Sequence, residues 1–264
     1  MIGILLGLIQ GLTEFLPVSS SGHLVLAQEL LGAPRPGIAL EIVLHAATLL
    51  AVLWTLRLEV AAVAGEAWGA LAGLPRRGPA ALREARGVWL LILATIPAAL
   101  AGLLLRGGIE AAFESPRAAA GCLVVTGLLL LATRRLRLRP RELGGRPALA
   151  MGLAQALALL PGISRSGWTV GAGLILGVAP AKAVRFSFLM SVPAVLGSLI
   201  LTLPDVARDA GGHGSLFLAA AFLAAFLSGV AAIRWMLRIV ARGRLHYFGF
   251  YCLAAGIAGW VLLG

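Results

Sequence analysis

The sequence predicts an all-α integral membrane protein, with six transmembrane helices plus two re-entrant helical hairpins in an inverted-topology repeat. Three observations carry this expectation. The chain of 264 residues is 60% hydrophobic and 12% charged, with a mean hydropathy of +0.97, and its apolar runs recur from end to end, which a soluble domain of this size would not tolerate. Its basic residues gather on one side of those runs. Two further apolar stretches, 1–32 and 148–179, are too broken to cross a bilayer and resemble each other.

The first broken stretch starts like a membrane helix, then places Glu14, Pro17, three serines and His23 where lipid would lie. Pro17 leaves arms shorter than the roughly 20 residues a span requires, so the chain is expected to dip in and return. Irregular backbone at membrane depth is tolerated only where it is buried in protein or lines a wet cavity, so such a loop is expected to face a site. No basic segment followed by a small-residue cleavage site opens the chain, and residues 1–16 are expected to belong to the fold. Spans are expected near 38–56, 87–105 and 118–133. The second hairpin, 148–179, breaks at Pro161 and Gly162, and spans near 183–203, 215–233 and 245–263 complete the set.

Threading the chain through these spans puts loops 57–86, 134–146, 180–185 and 234–244 on one side, with 17 of the 22 Lys and Arg residues. The other side carries Arg35, Arg106, Arg117 and Arg208, and Arg165 stands apart. The positive-inside rule makes the Arg-rich side cytoplasmic and both termini external. The net charge of +11 is then a topology signal and a surface for anionic lipid, not a nucleic-acid footprint. Cys122 and Cys252 each lie inside an apolar run, without the spacing of a metal site or disulfide framework, and read as packing residues.

Sliding residues 7–32 by 145 positions lays them on 152–177 with 11 of 26 identities and no gap. Gln10, Ser19, Ser21 and Gly22 all recur in register, so common helix composition is a poor explanation. Three spans separate the hairpins. That odd number inverts the second copy, giving one membrane domain over 1–264 with repeat one at about 1–133 and repeat two at about 148–264. Inverted repeats commonly hold a site at their interface near the midplane.

The copies differ where chemistry is concerned. Ser20 aligns with Arg165, His23 with Trp168 and Glu14 with Leu159, so acid and imidazole belong to one loop and the guanidinium to the other. Arg165 flanked by Ser164, Ser166 and Thr169 suits a phosphate, because the guanidinium fork matches phosphate oxygens and the hydroxyls add neutral donors. The competing reading is a structural Arg165–Glu14 ion pair between the repeats, although intramembrane charges usually mark function. Gln10 is either a site residue or a tie between helices. Glu41 and His45, spaced to share a helix face, either support the site or form a structural hydrogen bond.

The stretches "QGLTEFLPVSSSGH" and "PGISRSGWT" resemble the two signature regions of the undecaprenyl-pyrophosphate phosphatase family, the bacitracin-resistance type of integral membrane phosphatase. The resemblance extends to "EIVLHAATLLAVLW", "ATIPAALAGLLL" and "FSFLMSVPAVLGSLIL" and so covers nearly the whole chain. It implies hydrolysis of undecaprenyl pyrophosphate to undecaprenyl phosphate and inorganic phosphate, recycling the cell-wall lipid carrier. It implies catalytic roles for Glu14, Ser20, His23 and Arg165, and substrate binding by Gln10, Ser164, Arg165, Ser166 and Thr169. A divalent cation, Mg2+ or Ca2+, is expected at Glu14, which is the motif's sole carboxylate because the first motif position holds Gln10. The nucleophile stays open between His23, Ser20 and water. The resemblance further implies the bacterial cytoplasmic (inner) membrane, with a site opening to its outer, periplasmic face. Expected partners are the polyprenyl pyrophosphate and membrane lipid, with a homodimer as a candidate assembly and no nucleic acid. Lipid phosphatases of the phosphatidic-acid type share "SGH" and "SR", but their following His is here Gly171, which excludes them. A lipid-phosphate transporter is the rival class, and the Glu14, Ser20 and His23 set favours the enzyme because binding alone needs no base.

Thiols introduced singly at 106–114 and 205–213 are expected to react with a membrane-impermeant reagent in intact cells, while those at 134–146 stay unlabelled. The reverse pattern overturns the threading.

Overall fold

The computed structural model describes residues 2–31, 37–136, 141–206 and 214–263. Gly32, Arg35 and Arg208, and positions 137–140 of an expected loop, lie outside the described residues. The described chain is helical, with one isolated bridge between Arg141 and Val178.

A first broken pair, α1 (Ile2–Phe15) and α2 (Ser20–Leu31), precedes α3 (Ile38–Thr55), α4 (Arg57–Arg77) and the short α5 (Ala80–Arg83). Helices α6 (Arg86–Leu104), α7 (Arg106–Phe113) and α8 (Pro116–Ala132) complete the first half. The second half holds α9 (Gly145–Leu157), α10 (Arg165–Ile175), α11 (Pro180–Val206), α12 (Ser215–Ala241) and α13 (His246–Leu262). Helices α6, α8, α11 and α12 are long and apolar enough to cross a membrane, and α3 joins α4 through an 84° bend. Helix α13 has 17 residues, about 26 Å at 1.5 Å per residue, slightly less than a typical hydrocarbon core.

Positions 57–86, expected as a loop, are largely helical. The apolar density falls after Leu56, but Ala, Leu, Glu and Arg keep their helix propensity, so the helix resumes at a new angle. The same holds for α7 within 106–114.

Helix α1 reverses the pattern of a soluble amphipathic helix. Its buried positions are Gly3, Gly7, Gly11 and Phe15, and its exposed ones include Leu5, Leu8, Ile9 and Leu12. The glycine stripe lies on α12. A methyl carbon added at Gly7 would stand 2.3 Å from the Ala221 carbonyl oxygen, and one at Gly11 would stand 2.1 Å from the Ser228 hydroxyl. In lipid, where apolar side chains gain little by leaving their surroundings, such small residues let backbones approach and dispersion do the holding. Contacts of Gly3 with Phe217 and of Gly11 with Ala225 show α1 and α12 running parallel. The first arm of the other pair behaves alike: an added methyl at Gly152 of α9 would meet the Ala94 carbonyl of α6 at 2.4 Å. Each half thus lends its first arm to a long helix of the other. Helices α8 and α13 pack antiparallel through Gly127, Gly249 and Gly256.

At one end of the bundle the basic segments meet. Arg185 pairs with Glu59, Arg86 donates to the Leu143 carbonyl at 2.7 Å, and Lys182 lies 2.5 Å from Glu142. The Lys182 ammonium holds the Glu142 carboxyl below the usual carboxylate range. Glu66 accepts from the Gly87 N–H at 2.7 Å, satisfying an unpaired donor at the start of α6.

Gly7→Val is expected to lower stability by about 1–3 kcal/mol through overpacking against α12, read as a lower Tm in detergent. Gly69→Ala on α4, where an added methyl meets nothing within 4 Å, is expected to leave Tm unchanged or raise it. Equal losses in both variants would discount the α1–α12 seam.

Candidate active site

Glu14 lies in the last turn of α1 and Arg165 opens α10. A carboxylate at a helix C-terminus and a cation at an N-terminus each oppose their helix dipole, and placing the two side by side relieves both conflicts. Nη2 of Arg165 is 2.5 Å from Oε1 of Glu14, with side chains 17% and 13% exposed. Nη1 of the same guanidinium is buried with no hydrogen-bond partner among the described residues. Oε2 of Glu14 accepts from the Gln10 amide at 3.2 Å and from the Ser20 hydroxyl at 3.5 Å. Gln10, Glu14, Ser20 and Arg165 therefore form one connected group, with a donor left over.

The two loops have the same construction. Ser19 accepts from the Gly22 N–H at 3.2 Å and lies 3.4 Å from the Ser21 hydroxyl. Ser164 accepts from the Gly167 N–H at 3.2 Å and lies 3.4 Å from the Ser166 hydroxyl. In each copy a serine caps the second arm. The loops also touch: a methyl carbon on Gly22 would be 2.6 Å from the Gly162 Cα, and Gly162, at φ +90°, leaves no room for one against the Ala119 carbonyl. Ser19 is the one described non-glycine residue with positive φ, at 64°.

The hydroxyls beside Arg165 do not point where the sequence suggests. Ser164, Ser166 and Thr169 are 2%, 1% and 0% exposed. Ser164 is committed to its cap, and Thr169 bonds the Arg165 carbonyl at 2.7 Å and Ser187 at 2.6 Å. A hydroxyl at the start of a helix satisfies the nearest backbone first, so these groups brace the first turn of α10. His23 shares the loop but bonds neither Ser20 nor Glu14. Its Nδ1 meets the Ser19 carbonyl and its Nε2 the Tyr251 hydroxyl, each at 2.8 Å. Glu41 is exposed and His45 half-buried, and no hydrogen bond joins them among the described residues.

Sequence reasoning passed over Thr126 and Tyr251. Thr126 on α8 donates to the Gly162 carbonyl at 2.9 Å and accepts from the Ser164 N–H and the Trp168 Nε1–H, both at 3.2 Å. That uses the whole capacity of one hydroxyl. A lone polar side chain in the middle of an apolar span was the available signal.

Among the described residues no three His, Cys, Asp or Glu side chains gather as a metal cage. The Glu14 carboxylate and Ser20 hydroxyl offer hard oxygens of the kind Mg2+ or Ca2+ accepts when substrate phosphate oxygens and water complete the shell, while Gln10 turns its amide nitrogen to Glu14. The residues fit that use.

Fold and site together define a helical multi-pass membrane protein with a charged, hydrogen-bonded centre built where two helix-breaking loops meet. The chain belongs to the family of the bacitracin resistance protein BacA, whose family model matches residues 3–258. It is 44% identical over 264 residues to the undecaprenyl-diphosphatase of Desulfatibacillum aliphaticivorans, covering 96% of this chain and 95% of that protein. It is 44% identical over 269 residues to that of Salinibacter ruber, covering 98% of each. Against that of Gemmatimonas aurantiaca the identity is 43% over 263 residues, covering 98% and 96%.

Thr126→Val keeps the shape and strips three partners of their hydrogen bond. It is expected to cost at least ~2 kcal/mol, since one buried donor left unpaired costs about 1–3 kcal/mol, and to lower turnover as the second loop loosens. A wild-type Tm together with wild-type turnover would remove Thr126 from this role.

Proposed function

We propose that the chain is an undecaprenyl-diphosphatase, hydrolysing undecaprenyl pyrophosphate to undecaprenyl phosphate and inorganic phosphate and so recycling the lipid carrier of the cell wall. The observation that carries the site assignment is the half-used Arg165 fork. One nitrogen pairs with Glu14 and the other is buried without an acceptor among the described residues, at the N-terminus of α10 where the helix dipole adds positive potential. A pyrophosphate supplies the missing acceptors.

In this reading Arg165 clamps the phosphate oxygens, and catalysis comes chiefly from positioning and charge neutralisation. Ser164, Ser166 and Thr169 serve binding by fixing the turn that carries Arg165. Gln10 and Ser20 orient the Glu14 carboxylate, which would hold a Mg2+ or Ca2+ ion, and that ion would supply charge neutralisation for the substrate's phosphates. His23 takes a proton from the attacking water through Nε2. The water oxygen bonds to the terminal phosphorus, the bridging P–O bond breaks, and its electrons leave with undecaprenyl phosphate.

The same reading takes α1–α2 and α9–α10 as re-entrant hairpins of an inverted repeat within one membrane domain, with α3, α6, α8, α11, α12 and α13 as the six spans. The matching serine caps and the reciprocal seams, α1 on α12 and α9 on α6, support it. Ion pairs joining 57–86, 134–146 and 180–185 support a single basic face, which we place in the cytoplasm, with the site opening outward from the inner membrane. A second copy of the chain is a candidate partner.

Purified protein in detergent is expected to release phosphate from undecaprenyl pyrophosphate, with Glu14→Ala and His23→Ala inactive but folded. Arg165→Lys keeps the charge and loses the fork. A lost charge-assisted hydrogen bond of roughly 1.5–3 kcal/mol translates into about 10- to 150-fold slower turnover at unchanged Tm. An unstable Arg165→Lys whose folded fraction turns over normally would reduce the pair to a structural tie.

A further inference from the structure

His23 has both ring nitrogens engaged, and what engages them fixes its chemistry. Nδ1 faces a backbone carbonyl, that of Ser19, which can only accept, so Nδ1 carries the proton. In the neutral ring Nε2 then holds the lone pair and receives the O–H of Tyr251, a residue of α13 that is 50% exposed. This tautomer follows from the partners rather than from the ring itself. The His23 and Tyr251 rings lie within 5° of parallel with centroids 5.5 Å apart. The next residue on α13, Cys252, is fully buried and donates its thiol to the Pro17 carbonyl at 3.3 Å. Two consecutive residues of one helix thus grip the first loop on either side of Ser19, the residue held at positive φ. Backbone strain at such a point persists only when its surroundings over-determine it.

We propose that Tyr251 is the positioning residue for His23: with the Nδ1–H tautomer set by the Ser19 carbonyl, it holds the ring plane and covers the Nε2 lone pair until the attacking water displaces the phenol. A hydroxyl suits this place because it donates to the neutral ring and, turned about, accepts from the imidazolium that proton uptake creates. The same partner serves both protonation states. The inference rests on the reading of His23 as the base, and its test separates the two.

The test is Tyr251→Phe, which keeps the ring and removes only the hydroxyl. Turnover of undecaprenyl pyrophosphate is expected to fall about tenfold in kcat with KM unchanged, the mark of lost orientation rather than lost binding. Diethylpyrocarbonate, which modifies an unprotonated and uncovered imidazole nitrogen, is expected to label His23 severalfold faster in Tyr251→Phe than in the wild type, read by mass spectrometry of the peptide carrying residue 23. Cys252→Ala loosens the same loop without touching Nε2, and is expected to label at the wild-type rate. Equal labelling of wild type and Tyr251→Phe overturns the proposal, as does faster labelling in Cys252→Ala or an unchanged kcat in Tyr251→Phe. Retained turnover in His23→Gln instead defeats the base assignment, while the labelling rates still report on the cover.

Discussion

The contact between Glu14 and Arg165 is the constraint around which the rest is arranged. An isolated charge at membrane depth is costly, and here each charge also stands at the wrong end of its own helix. Neither loop is tolerable alone: α1 must deliver its carboxylate to the same point at which α10 delivers its guanidinium. Buried ion pairs are often no more stabilising than apolar packing of equal volume, so stability gives little reason to keep one here. The guanidinium nitrogen left without an acceptor among the described residues points the same way. A pair kept for stability alone would be expected to close its hydrogen bonds, whereas this one holds capacity for a third party.

Helices α8 and α13 make that meeting possible. Their glycines bring the two backbones close enough that polar side chains on each reach a loop: Thr126 takes three partners at the second loop, while Tyr251 and Cys252 take one each at the first. The link from sequence to function runs through residue size. Bulkier residues at Gly127 or Gly249 would push the helices apart, and the loops would lose hydrogen bonds that water is not there to replace.

Much of this was legible in the sequence, for identifiable reasons. Pro17 and Pro161 mark the breaks whatever the tertiary context, and the in-register Ser and Gly matches mark two loops that need the same serine cap. The pairing of Gln10 with Glu14 follows from helical spacing. What stayed hidden depends on partners far along the chain. The inward turn of Ser166 and Thr169 depends on Ser187 and on the local backbone, and the hold on His23 comes from a residue 228 positions away. The helical course of 57–77 and its bend at Leu56 were concealed because falling hydropathy looks like a loop when a helix merely changes direction.

The parallel seam between α1 and α12 also sets a clock. Ser228 reaches the Gly7 carbonyl across 221 residues, so the first helix made has the last-but-one as its mate. At roughly 5–20 residues per second of synthesis, α1 waits on the order of ten to forty seconds with its bare glycine face against lipid tails or against the insertion machinery. For the first part of that interval, until residue 165 is made, the nascent chain holds Glu14 but not Arg165, so the acid waits without its partner. Biogenesis, rather than the finished fold, is therefore the stage at which this chain is most exposed to quality control.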